Sequence, residues 1–165
     1  MPVVYVSIGS NIDRKRNIRA AVKALQLNFD PVTLSSVYET QAQGFAGDPF
    51  YNLVAGFDTA LSVEEINTLL HDIENKQGRR RGEQKFSPRT LDLDLLLYGD
   101  AIVAENNIPR DEITRYAFVL LPLTEIAPDA VHPRYMKTMR VLWTEFQSAH
   151  DVSKQTIHPV ELEWD

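Results

Sequence analysis

The apolar positions of this chain change period as it proceeds, and the changes mark its elements. Val3 to Ile8 is a β-branched, apolar run closed by Gly9-Ser10-Asn11, which predicts a strand and its turn. Ile18, Ala21, Val22 and Leu25 recur at helical spacing and predict a helix from about Asp13 to Leu27. Pro31 ends the connection, and Val32 to Tyr38 reads as a second strand. Gln41 to Pro49, with its Gly, Ala and Pro content, reads as a long loop, and Phe50 to Thr59 as a third strand. Ser62-Val63-Glu64-Glu65 has the form of a capping box. The helix it opens buries Ile66, Leu69, Leu70 and Ile73, runs to about Gln77 and stops at Gly78. Arg79 to Pro88 is polar and reads as a loop. Leu91 to Tyr98 is the fourth strand, and Gly99-Asp100 turns the chain into a weaker one. Pro109, Pro122, Pro128 and Pro133 predict an irregular third quarter, and a last helix covers Lys137 to Ala149. Asp151 to Asp165 has no clear pattern.

The order β-α-β-β-α-β is that of the split βαβ, ferredoxin-like core. The expected class is α+β: a mostly antiparallel sheet, two helices on one face, and added C-terminal elements. At 165 residues the whole chain, 1–165, is expected to form a single domain. Such a fold hosts many chemistries, so it does not decide function.

Composition narrows the field. The net charge of −6 does not favour nucleic acid or an anionic membrane as partner. With no cysteine there is no disulfide framework, thiol nucleophile or Cys-type zinc site. The start Met1-Pro2-Val3-Val4-Tyr5 lacks the basic and apolar regions of a signal peptide, which predicts a cytoplasmic protein. There is no P-loop, G-x-G-x-x-G or H-E-x-x-H. His71, His132, His150 and His158 are scattered and read as structural or surface residues.

The candidate chemistry lies in Ser87-Pro88-Arg89-Thr90-Leu91-Asp92-Leu93-Asp94-Leu95-Leu96-Leu97. Side chains alternate on a strand, so Asp92 and Asp94 point one way and Leu91, Leu93, Leu95 and Leu97 the other. Adjacent carboxylates repel, and Mg²⁺ in nucleotide chemistry is typically held by such a pair together with substrate phosphates. Arg79, Arg80, Arg81 and Arg89 lie nearby, and an arginine fork grips phosphate. On spacing alone the arginine run also suits a solvated helix end, and the Asp pair the polar face of an edge strand. Phe50 and Asn52 share a face, which suits a flat hydrogen-bonding heterocycle and equally a core Phe beside a turn Asn. Glu74 has the spacing of an ordinary surface carboxylate.

Taken together the chain resembles the 6-hydroxymethyl-7,8-dihydropterin pyrophosphokinases from Val4 to about His132. The resemblance rests on Tyr5-Val6-Ser7-Ile8-Gly9-Ser10-Asn11, Ser36-Val37-Tyr38-Glu39-Thr40, Phe50-Tyr51-Asn52, Ile73-Glu74 and Gly78-Arg79-Arg80-Arg81. It continues in the signature Lys85 to Asp94 and in Phe118-Val119-Leu120 before Pro122-Leu123. It implies transfer of pyrophosphate from ATP to the pterin alcohol, giving AMP, in folate biosynthesis. It implies a monomer that takes ATP as co-substrate and two Mg²⁺ ions held by Asp92 and Asp94. Arg79, Arg81 and Arg89 match phosphate-side arginines. Glu74 and Leu95 match nucleotide-side residues, Leu95 touching adenine. Phe50 and Phe118 match the aromatic pair that sandwiches the pterin, and Asn52 and the backbone near Thr40 the groups that bind its edges. Arg110 stands where many relatives have a nucleotide-contacting His, and Tyr116 where an Arg is usual, with Arg115 one residue earlier. Those two changes motivate a second reading, a relative that binds a pterin or nucleotide without turnover.

Overall fold

Val3–Ser10 (β1) is an inner strand of the main sheet, antiparallel to Phe50–Asp58 (β4) on one side and Asp92–Tyr98 (β5) on the other. The computed structural model describes residues 1–41, 48–78, 91–150 and 157–164. Thr33–Leu34 (β2) and Val37–Thr40 (β3) both pair with β4. The path is β5-β1-β4-β3-β8, where β8 is Ile157–Val160. Arg14–Asn28 (α1) follows β1 and Val63–Lys76 (α2) follows β4. This is the ferredoxin-like order that the hydrophobic pattern predicts.

Both helices cover the first face of the sheet. Ile18, Ala21, Val22 and Leu25 of α1 and Ile66, Leu70 and Ile73 of α2 pack with Val4, Val6, Ile8, Leu53, Leu93 and Leu95. The capping box of α2 is present: Glu65 N–H donates to the Ser62 hydroxyl and Ser62 N–H to the Glu65 carboxylate. Gly78, just past its end, has φ +92°, a conformation that favours glycine.

The second face is covered as well, which the proline-rich third quarter concealed. Glu112–Arg115 (α3) leads into Ala117–Ile126 (α4), and Met139–Ala149 (α5) packs against α4. α4 holds Pro122 inside it and is apolar nearly all round, so it carries neither the period nor the composition that announces a helix. Its Val119, Leu120 and Leu123 bury Val54, Leu96 and Leu97 with Leu142 and Phe146 of α5.

Other expectations shift locally. The strand expected over Val32–Tyr38 is interrupted because the Ser35 hydroxyl accepts the Val54 N–H at 2.9 Å. The weaker strand after Gly99-Asp100 reduces to one bridge, Val103 with Ile108. The last helix begins at Met139, since Lys137–Thr138 (β7) pairs with Val131–His132 (β6). The tail supplies β8, an edge strand on β3 whose Pro159 stands opposite Tyr38. Among the described residues no helix is long and apolar enough to cross a membrane. The loops expected over Gln41–Pro49 and Arg79–Pro88 fall largely or wholly outside the described residues.

His132 is structural, as its isolation in the sequence suggests. It is 2% exposed, and its Nδ1 accepts the N–H of Arg134 at 3.2 Å and of Tyr135 at 3.4 Å. Burial, then the Arg134 charge, lowers its pKa. The unfolded chain therefore takes up the proton first. The stability from neutral His132 is complete above about pH 6.5 and drains away as pH falls through the lowered value. His132→Asn, which keeps an acceptor, is expected to flatten the fall in urea midpoint between about pH 7 and pH 5. An unchanged slope would take His132 out of the acid response.

Candidate active site

Residues directly opposite in an antiparallel ladder share a face, so the register maps the second face at one end of the sheet. Tyr38 faces Asn52, Asn52 faces Gly9, and Gly9 faces Asp92, forming one row across four strands. Val54, Ser7 and Asp94 form the next row, and Thr40 with Phe50 lies on the other side. Asn52 and Asp92 thus stand two strand spacings apart, about 10 Å, with only a glycine between them.

That glycine is a site feature the sequence reading took for a turn. Gly9 lies inside β1, and a Cβ built on it would stand 2.9 Å from Asn52 Oδ1 and 3.8 Å from Phe50 Cδ1. The signal was available, because an isolated Gly at the end of an apolar strand often marks a close approach. Asn52 cannot give way freely. Its Nδ2 donates to Thr40 Oγ1 at 2.8 Å, and both residues are buried. The amide is thereby oriented with its oxygen over the glycine floor.

Asp92 and Asp94 are half-buried on this face, as strand alternation predicts. The expected position of Leu97 is corrected. Between Tyr5 and Val6 of β1 the register slips, leaving Leu96 as an extra residue in β5, and Leu96 and Leu97 both join the second face. Leu95 keeps to the first face at 3% exposure, so its side chain is core and only its backbone reaches the outer edge of β5. Glu74 is no surface residue. It is 4% exposed, and its Oε2 accepts the Leu93 N–H at 2.8 Å, between the two aspartates.

Phe118 lies in the first turn of α4, half-buried, with Tyr116 stacked on it at 5.0 Å between centroids. α4 is tied to β3 through Glu125, which accepts from Ser36 N–H, from the Ser36 hydroxyl at 2.7 Å and from the Tyr38 hydroxyl at 2.8 Å. Burial, then the bond to Glu125, pushes the Tyr38 hydroxyl up to about 12, so it stays a donor at any working pH. Arg110 contacts Asp94. Arg115 is exposed at the end of α3, its guanidinium 5.7 Å from the Tyr116 ring centroid.

Two further residues escaped the sequence reading. Asn11 Nδ2 donates to the Asp48 carbonyl at 3.2 Å, and Arg14 donates to the Pro49 carbonyl at 2.9 Å while lying 4.0 Å over the Tyr51 ring. Together they fix the backbone that delivers Phe50. Arg79, Arg81 and Arg89 lie outside the described residues.

The donor set on this face is hard oxygen. Two carboxylates fit Mg²⁺, which keeps open positions for phosphate oxygens, and among the described residues no third His, Cys, Asp or Glu completes a ligand group.

Comparison with known proteins finds relatives of the chain and of its fold. The family described as 7,8-dihydro-6-hydroxymethylpterin-pyrophosphokinase (HPPK) matches residues 5–128. A protein of Aquifex aeolicus named 2-amino-4-hydroxy-6-hydroxymethyldihydropteridine pyrophosphokinase is 33% identical over 144 residues, 85% of this chain and 89% of its own. The Haemophilus influenzae protein of that name is 41% identical over 139 residues, 81% of this chain and 86% of its own. Among solved structures, the wild-type HPPK-DHPS of Plasmodium falciparum with pteroate superposes with a TM-score of 0.78 at 11% identity. That match covers 98% of this chain but 48% of the Plasmodium chain, and it is a likeness of fold.

Proposed function

Since the chain belongs to the 7,8-dihydro-6-hydroxymethylpterin-pyrophosphokinase family, we propose that the second face of its sheet is where it transfers pyrophosphate from ATP to 6-hydroxymethyl-7,8-dihydropterin in folate biosynthesis. The observation that carries this reading is the row Asn52, Gly9, Asp92, with Asp94 beside it. It offers an amide at one end, a bare floor in the middle and carboxylates at the other. A flat heterocycle stands over Gly9 between Phe50 and Phe118, with its hydroxymethyl group directed toward the aspartates.

Each residue then has a task. Asn52 presents Oδ1 to a donor edge of the ring, because its NH₂ is engaged by Thr40. Backbone near Thr40 meets the same edge. Phe50 and Phe118 take the two ring faces. Asp92 and Asp94 would hold two Mg²⁺ ions, which would supply charge neutralisation for the triphosphate and lower the pKa of the pterin alcohol. Arg79, Arg81 and Arg89 neutralise phosphate oxygens, while Arg110 and Arg115 stand on the nucleotide side. Glu74 steadies the strand between the aspartates, and Leu95 meets adenine through its backbone. In the reaction the alcohol oxygen bonds to the β-phosphorus and the bond from that phosphorus to the α-bridging oxygen breaks. AMP leaves and the alcohol proton passes to solvent. Catalysis of this kind is mainly positioning and electrostatics. The reading takes the enzyme as a cytoplasmic monomer of one domain.

The test is AMP release from ATP and Mg²⁺ with and without the pterin alcohol. AMP that forms only with the pterin is expected. No AMP from a folded protein that still binds the pterin would favour a binding relative.

Phe118→Ala separates the two substrates. Losing one stacking face is expected to raise the pterin KM by roughly tenfold, the value of a good aromatic contact, with little change for ATP. Equal losses for both would remove the stacking role.

A further inference from the structure

Arg110 is anchored on the strand that carries the aspartates: its N–H donates to the Leu96 carbonyl at 3.0 Å. From there its guanidinium reaches two carboxylates. Nη2 lies 3.3 Å from Asp94 Oδ1, and Nε lies against Glu112 Oε2 at the start of α3. The Glu112 contact is an ion pair without hydrogen-bond alignment, since neither Nε nor Oε2 has an aligned partner although both are buried. The Asp94 side chain is 40% exposed, so its approach from solvent stays open. Asp94 therefore already has a cation beside it, shared with a second carboxylate that holds it off-axis.

We propose that Arg110 is the resident counter-cation of Asp94, which a divalent ion must displace, and that Glu112 is the positioning residue onto which the guanidinium retreats. The inference rests on the reading of Asp94 as a metal ligand. Two cations cannot share one exposed carboxylate oxygen without mutual repulsion. The bare metal is thus opposed by Arg110, whereas a metal arriving with a polyphosphate brings oxygens that the displaced fork can grip. Metal and nucleotide then bind as a coupled pair.

The test is Mn²⁺ binding to the full chain without nucleotide, read from the free-ion electron paramagnetic resonance signal. Arg110→Gln is expected to tighten Mn²⁺ about fivefold, the scale of an exposed ion pair, and Glu112→Gln to weaken it about threefold. In the double variant the Glu112 change is expected to lose its effect, because it acts through Arg110. Equal weakening in both backgrounds would mean a direct field from Glu112 and overturn the proposal. So would an Arg110→Gln protein whose Mn²⁺ affinity is unchanged. Arg110→Met carries the same expectation if the Gln variant does not fold. Asp94→Asn is the control. Intact Mn²⁺ binding in that variant overturns the metal reading itself, whereas lost binding in Asp94→Asn without tightening in Arg110→Gln overturns this inference alone.

Discussion

Asp94→Asn is expected to lower AMP formation on the order of 10³-fold while leaving the thermal midpoint nearly unchanged, a barrier increase of about 4 kcal/mol. The two halves of that expectation have separate causes. The side chain is 40% exposed and Asn has the same shape, so the isosteric amide costs little stability. Its charge, however, is half of the only paired carboxylate set on the site face of β5, and a neutral amide cannot hold a divalent ion against the phosphates. Turnover close to that of the unaltered enzyme would sink the assignment of the Asp pair to metal. A variant that is inactive because it is unfolded would be recognised by its melting curve.

Gly9→Ala is expected to weaken pterin binding by roughly 30-fold and to cost about 1–3 kcal/mol of stability, measured by KM for the pterin and by urea midpoint. The added methyl would stand 2.9 Å from Asn52 Oδ1, closer than such atoms normally come. Asn52 can retreat only by giving up its buried bond to Thr40. Either the amide turns away from the ring edge or the floor is raised under the ring, and both outcomes strike the pterin more than ATP. Unchanged pterin affinity would show that the ring does not lie over Gly9.

Most of the framework could be read from local signals. β1, β4, α1 and α2 announce themselves by period and by the capping box around Ser62, and the shared facing of Asp92 and Asp94 follows from strand alternation alone. What escaped depends on distant partners. Glu74 looks like a solvent residue until Leu93, nineteen positions on, presents its N–H to it. β8 forms only because β3 leaves an edge to be paired, and His158 and Pro159 give it no strand pattern of its own. α4 is hidden by its proline and by apolar residues on every side. Gly9 is a common turn residue until Asn52 and Phe50 are set beside it by pairing.

The extra residue in β5 has a consequence for how this chain tolerates changes of length. Leu96 sits between the segment that bears Asp92 and Asp94 and the one that ends at Tyr98. Because the surplus is absorbed there, Tyr98 returns to the first core while both carboxylates stay on the second face. A one-residue deletion at Leu96 would restore plain alternation and leave every other side chain of the strand facing as before. An insertion or deletion outside the run Leu95-Leu96-Leu97 would turn one end of it over. At this position a frame-preserving change in gene length acts like a core substitution that keeps both carboxylates on their face and disturbs only the carbonyl to which the Arg110 N–H is tied.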